Sequence, residues 1–221
     1  MGIPILAVSD ETDPRIHSST VRERLGHVRM VLGCGDLPTD YLEFLADALN
    51  RPVYYVLGNH AEELRRGAMR GDERKPMGAT DLGGRVVRDP DTGLILAGVP
   101  GSPKYGNHEP AQYTDWEIRI MLAKMVPRLM WNRLRHGRAL DVLVTHAPPR
   151  GIGDREDVAH RGYVPLVGFV RWAKPSIHLH GHIHLYDRNE CREFRLDGTR
   201  IINVFPYQVL ELDDPPAEVR R

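Results

Sequence analysis

Short, nearly continuous apolar runs alternate along this chain with Gly- and Pro-rich turns and with longer segments of helical spacing. The runs Ile3–Ser9, Val28–Gly33, Pro52–Leu57, Leu94–Val99 and Asp141–Thr145 do not alternate polar with apolar, which predicts strands buried on both faces, and Pro175–Leu179 predicts a further strand. Between them, Pro14–Gly26, Tyr41–Leu49, Asp115–Leu134 and Val164–Lys174 carry helix-compatible patterns. The third has Ile118, Met121, Leu122, Met125, Leu129 and Met130 at helical intervals, with Pro127 expected to kink it. Arg85–Val87 and Leu94–Val99 flank the turn Asp89–Gly93 and predict a hairpin. Cys191–Leu196 and Thr199–Val204 flank Asp197-Gly198 and predict another, with Gln208–Leu212 completing that second sheet as a third strand. Arg65–Gly84 has no clear period and is expected to be a long irregular connection.

The polar residues that follow these runs carry the chemistry. Asp10, Gly35-Asp36, Gly58-Asn59-His60, His146 and the pentapeptide His180-Gly181-His182-Ile183-His184 each come just after a predicted strand, at the carboxyl edge of a sheet where ligands of open α/β folds gather. Two imidazoles separated by one residue can aim at different metal ions. A His-rich pentapeptide alone is a weak signal, Asp36 could simply cap a helix, and Gly-Asn-His could be a tight loop. The ordered set of five blocks outweighs each bland reading.

In that order the blocks resemble the calcineurin-like metallophosphoesterase superfamily, over Ile3 to about Asn203. The resemblance implies an α/β fold, a four-layer αββα sandwich of two mixed β-sheets flanked by helices, and a site for two divalent metal ions. It implies Asp36 as the carboxylate bridging both metals, Asn59, His146 and His182 at the second, Asp10 and His184 at the first, and His60 as the catalytic histidine assisting the leaving group. Two cations sharing Asp36 are expected to share a hydroxide that attacks phosphorus in line. Nitrogen and oxygen donors without thiolate suit manganese, iron or zinc.

Two departures qualify it. Thr12 stands where the family has a histidine, so the first site is expected to bind its ion more weakly, with Glu11, Asp13 and His17 as nearby substitutes. Ala61 stands where an acidic residue commonly follows the catalytic histidine, leaving Glu62 or Glu63 to orient His60.

Composition narrows the rest. The length of 221 residues suits one metallophosphoesterase domain over 1–212, with a polar tail at 213–221. Thirty Lys and Arg balance thirty Asp and Glu, so the chain lacks the field that long nucleic acid or an acidic membrane would require. No run approaches the ~20 apolar residues of a membrane span, and Met1–Val8 is too short for a secretory leader. Cys34 and Cys191 form neither a metal pair nor a disulfide framework, so a cytoplasmic location is expected. Lys104, Tyr105, Asn107 and His108 are candidate substrate contacts. The Gly151–Gly162 segment, with Asp154, Asp157, His160 and Arg161, resembles a loop of one superfamily branch and is expected to shape the pocket. His178 and His180 share a strand face and are expected to pack or support.

The favoured reading is a phosphodiesterase acting on a small phosphoester substrate. No clustered arginines are visible for a phosphomonoester dianion, although Arg150 and Arg161 could assemble in space. A nuclease is disfavoured by the charge. The reading from another class is a metal-binding regulatory or interaction protein with weakened catalysis, which Thr12 and Ala61 support.

Overall fold

The computed structural model describes residues 2–60, 75–106, 111–187 and 189–214. Two large sheets pack face to face. The first has the order β13-β1-β2-β3-β4, built from β1 (Ile3–Val8), β2 (Met30–Gly33), β3 (Val53–Tyr55), β4 (Ala79–Asp81) and β13 (Tyr207–Leu212). The second has the order β11-β12-β10-β9-β6-β5, from β5 (Val86–Arg88), β6 (Ile95–Val99), β9 (Val142–Thr145), β10 (Ile177–His180), β11 (Glu193–Leu196) and β12 (Thr199–Asn203). β7 (Ser102–Pro103) and β8 (Gln112–Tyr113) form a small parallel pair.

Each sheet is mixed. β1, β2, β3 and β4 run parallel with β13 antiparallel at one edge. β6, β9, β10 and β12 run parallel, with β5 and β11 antiparallel outside them.

Three apolar layers explain why the central strands β1, β2, β6 and β9 lack polar alternation. Ile5 and Ala7 of β1 face Leu96, Val144 and Leu179 across the space between the sheets, whereas their neighbours Leu6 and Val8 face the first helix layer. That layer holds α1 (Val21–Leu25) and α2 (Thr39–Leu49), whose Tyr41, Leu42, Leu45 and Leu49 are buried. On the far side, α3 (Asp115–His136) and α4 (Val164–Ala173) cover the second sheet through Ile118, Leu122, Met125, Leu129, Leu166 and Phe169. This is the four-layer arrangement expected.

Several local expectations are corrected. Tyr207–Leu212 does not complete the second sheet but pairs antiparallel with β1 from Ile3↔Leu212 to Val8↔Tyr207. The edge of β1 was the open one, and Leu212 reaches the inter-sheet core there. Pro14–Thr20 is turn rather than helix: the Asp13 carboxylate accepts the Arg15 N–H at 2.8 Å, a local bond that competes with helical geometry, and only Val21–Leu25 is helical. The helix α3 continues through Pro127, whose ring lies on the solvent side where water can satisfy the carbonyl it orphans. Met130 is exposed, so it belongs outside the core that the spacing assigned it to. In the irregular connection, residues 61–74 lie outside those described, while Ala79–Asp81 forms β4 at the edge of the first sheet.

Candidate metal centre

All the parallel strands that carry candidate residues present their carboxyl ends on one side of the sandwich. Asp10 follows β1, Asp36 follows β2, Asn59 and His60 follow β3, His146 follows β9, and His182 and His184 follow β10. Backbone bonds tie these ends together: Asp10 N–H donates to the Gly35 carbonyl at 3.1 Å, and Gly181 N–H to that of His146 at 3.0 Å.

The turns are unusual in their backbone. Asp10, Asp36 and His182 all adopt left-handed conformations, with φ of 64°, 52° and 66°. Such strain in non-glycine residues persists where surrounding structure enforces it, and it clusters at functional sites. Two glycines make the approach possible. A Cβ on Gly58 would overlap Oδ1 of Asp36, and one on Gly181 would overlap Ser9 Oγ.

His146 sits fully buried at the centre. Its Nδ1 lies 2.9 Å from the Cys34 carbonyl, which can only accept, so Nδ1 carries a proton. Its Nε2 faces two oxygens, Asn59 Oδ1 at 2.9 Å and Asp36 Oδ2 at 3.1 Å. In a neutral ring three lone pairs would converge there. The arrangement is satisfied by a positive charge, either a second proton or a cation, and it is the donor set of a divalent metal.

The electrostatics agree. Burial works against charge on His146, but Asp36 beside it more than offsets this and holds the imidazole up at about 9. Burial likewise opposes ionisation of Asp36, yet His146 and the His60 backbone N–H, which donates to Oδ1 at 2.8 Å, hold its carboxyl down at about 2.

Ligand-type atoms of Asp10, Asp36 and His146 all lie within 4.8 Å of one another. The remaining sequence candidates surround this group. Asn59 has its Nδ2 donating to the Tyr105 hydroxyl at 3.2 Å, which turns Oδ1 toward His146. The His182 ring centroid is 4.8 Å from that of His146, and its Nε2 donates to the Ala159 carbonyl at 2.8 Å, leaving Nδ1 as the lone-pair nitrogen. Burial, with His146 adding to it, pushes the His182 imidazole down to about 3, so it stays neutral. His184 Nε2 stands 3.6 Å from Asp10 Oδ1, and its ring stacks on Phe205 at 4.7 Å. His60 has an exposed side chain. Its suggested partners Glu62 and Glu63, like Asn107 and His108, lie outside the described residues.

The substitutes considered for the absent imidazole separate clearly. Asp13 is held by Arg15 at 2.6 Å, and His17 packs edge-on against Tyr41 and Phe44 of α2, so neither turns to the centre. Glu11 connects indirectly. Its Oε1 accepts from the Tyr186 hydroxyl at 2.9 Å, and that oxygen in turn accepts from His184 Nδ1 at 3.1 Å. The relay leaves His184 Nε2 bare and directed at Asp10. Tyr186 and the carbonyls of Cys34 and Ala159 are members of the candidate site that the sequence did not signal. Tyr105, expected as a substrate contact, accepts from Asn59 Nδ2.

Over the centre, the 151–162 loop is held by its own carboxylates. Asp154 accepts from the Gly151 and Gly162 N–H groups at 2.9 Å each and pairs with Arg150 at 2.7 Å. Arg150 also pairs with Glu156 at 2.8 Å, and Arg161 Nε donates to the Glu156 carbonyl at 3.1 Å. The two arginines are thus engaged in holding the loop. Cys34, beside the site, has its thiol pushed well up by burial and by Asp10, so it remains a neutral packing residue.

A family model described as calcineurin-like phosphoesterase matches residues 25–186, and the chain belongs to that family. It is similar to UPF0046 protein T07D4.2 of Caenorhabditis elegans, 29% identical over 124 residues, which is 53% of this chain and 28% of that protein. One solved structure superposes with a TM-score of 0.65 at 17% identity, covering 96% of this chain and 95% of that one. A second, TT1561 of Thermus thermophilus, does so with a TM-score of 0.60 at 14% identity, covering 92% of this chain and 89% of that one. These likenesses bear on fold. No helix among the described residues is long and apolar enough to cross a membrane.

Proposed function

We propose that this chain is a metal-dependent phosphoester hydrolase, acting as a phosphodiesterase on a small substrate. The observation that carries the reading is His146 Nε2, buried and facing Asn59 Oδ1 and Asp36 Oδ2, a set of donors that calls for a cation.

Asp36, Asn59, His146 and His182 would hold one divalent ion, and Asp10, Asp36 and His184 the other, manganese, iron or zinc being suited to these donors. Two such ions, when bound, activate water and draw negative charge from the phosphoryl oxygens. The chain's own groups supply the rest. The left-handed turns aim Asp10 and Asp36 inward, Ala159 fixes the tautomer of His182, and Tyr186 fixes that of His184. His60, exposed beside Asp36, donates a proton or hydrogen bond to the departing oxygen.

Preference for a diester rests on the engagement of Arg150 and Arg161 with the loop, which leaves no arginine cluster at the centre among the described residues to grip a dianion. Two free cysteines, Cys34 and Cys191, suit a cytoplasmic setting. A second reading, a metal-binding regulatory protein with weakened catalysis, is favoured by Thr12, for which neither Asp13 nor His17 substitutes.

The test is hydrolysis of a chromogenic phosphodiester with manganese by the parent chain, Asn59→Ala and His60→Ala. The hydrolase reading expects both variants to lose at least 100-fold in kcat/KM. Equal background rates in all three, with manganese still bound by the parent, would leave the regulatory reading in its place.

A further inference from the structure

The helix α3 carries a second apolar stripe that the fold does not use. Its buried face is Ile118, Leu122, Met125, Leu129 and Asn132. On the opposite face Trp116, Ile120, Ala123, Pro127, Met130 and Leu134 recur at alternating intervals of four and three residues, with Trp131 beside them. That is the seam spacing of a coiled coil. Trp116 is 69% exposed, Trp131 57%, Leu134 77%, and Ile120 and Met130 40% each. A continuous apolar stripe on a helix about 33 Å long is not scattered surface hydrophobicity. It widens on one side into an apolar groove between Ala123, Val126 and Met130 of α3 and Val164, Gly168 and Trp172 of α4.

From this stripe we infer that the chain self-associates through α3, two copies packing the helix antiparallel about a two-fold axis. The charge distribution selects the partner and its direction. The first turn is acidic, with Asp115 and Glu117, and the last is basic, with Arg135 and His136 beside Arg133, whose Nη2 also donates to the Trp172 carbonyl at 3.0 Å. Antiparallel pairing sets each acidic end against the other copy's basic end and opposes the helix dipoles favourably. Parallel pairing would set acid against acid and base against base.

The sizes along the stripe are also self-complementary. With the two-fold axis level with position 125, whose own side chain stays in the core, Trp116 meets Leu134, Ile120 meets Met130, and Ala123 meets Pro127, so the smallest residues lie at the centre where the backbones cross. Each contact occurs twice, as a two-fold interface requires. Lys124 and Arg128 come together beside the centre, a like-charge contact whose long stems can carry both heads outward to water.

Sedimentation velocity over a concentration series tests the association. The full chain is expected to shift from monomer to dimer with concentration. Ile120→Glu and Met130→Glu, each shown by circular dichroism to keep its fold, are expected to weaken dimerisation by roughly tenfold or more, the equivalent of about 1.4 kcal/mol. A chain that stays monomeric at every concentration, or a dimer that both variants leave intact, would overturn the inference. Direction is read in a Cys191→Ser background. Ile120→Cys and Met130→Cys chains, mixed and oxidised, are expected to form the mixed disulfide in preference to either homodimer. Preferential Ile120→Cys homodimers would overturn the antiparallel arrangement.

Discussion

His146 Nε2 stands 3.1 Å from Asp36 Oδ2, joining the carboxyl end of a strand in one sheet to the carboxyl end of a strand in the other. His146 is fully buried and Asp36 largely so, and they are mutually dependent: each holds the other in its charged form. Removing one partner therefore does more than delete a ligand, because it leaves the other charge buried without compensation. Asp36→Asn is expected to abolish manganese binding in calorimetric titration.

Gly58 is the packing requirement behind that pair. A side chain there would overlap the Asp36 carboxylate, and overpacking of this kind costs roughly 1–3 kcal/mol. Gly58→Ala is expected to lower the unfolding free energy read from urea melts by that amount and to weaken manganese binding as well. A surface glycine with open space around it, Gly168, gives the control: Gly168→Ala should do neither.

The relay from His184 through Tyr186 to Glu11 orients an imidazole from outside the centre. Second-layer partners of this type typically carry 10–100-fold in metal affinity. Tyr186 is exposed, so Tyr186→Phe is expected at the low end, with roughly tenfold weaker binding in titration. The fold should be unaffected.

Thr12 places a neutral hydroxyl where the resemblance calls for an imidazole. Asp13 and His17 are bound elsewhere and do not compensate. Thr12→His is expected to tighten the weaker of two manganese-binding events in calorimetry while leaving the stronger unchanged.

His178 gives a pH signature independent of metal. Its Nε2 lies 2.8 Å from Thr145 Oγ1, whose own proton goes to the Ala147 carbonyl at 2.6 Å, so Nε2 carries the proton and the buried Nδ1 has no partner. Burial, with His180 adding to it, pushes the imidazole well below its ordinary 6.5. The unfolded chain takes up a proton near 6.5 that the folded chain refuses. The contribution of His178 is thus full above that pH and falls below it, by up to about 1.4 kcal/mol per pH unit, and the buried imidazoles of His180 and His182, likewise pushed down, add to the same slope. Urea melts with chelator present should show this slope, and His178→Asn, which keeps a donor for Thr145, should reduce it.

Much of the candidate site was legible because its residues come directly after buried strands. An apolar run without polar alternation marks a strand covered on both faces, and the residue after it must then lie at a sheet edge. The candidates Asp10, Asp36, Asn59 and His146 were readable in this way, whereas His182 and His184 were marked by their own spacing in the pentapeptide His180–His184. Tyr186 was not, since nothing in a tyrosine two residues past a histidine indicates which acid its hydroxyl will reach.

Local pattern thus dictated where strands and helices form and which polar residues end them, since propensity, turn chemistry and spacing act between near neighbours. Packing decided what those patterns leave degenerate. Tyr207–Leu212 reads as a strand for either sheet, and the open edge of β1 claimed it. The helix α3 is apolar on two faces, and contact with the second sheet determined that Ile118 and Leu122 go inside while Trp116 and Leu134 meet water. Only surfaces brought together from distant parts of the chain could make those choices.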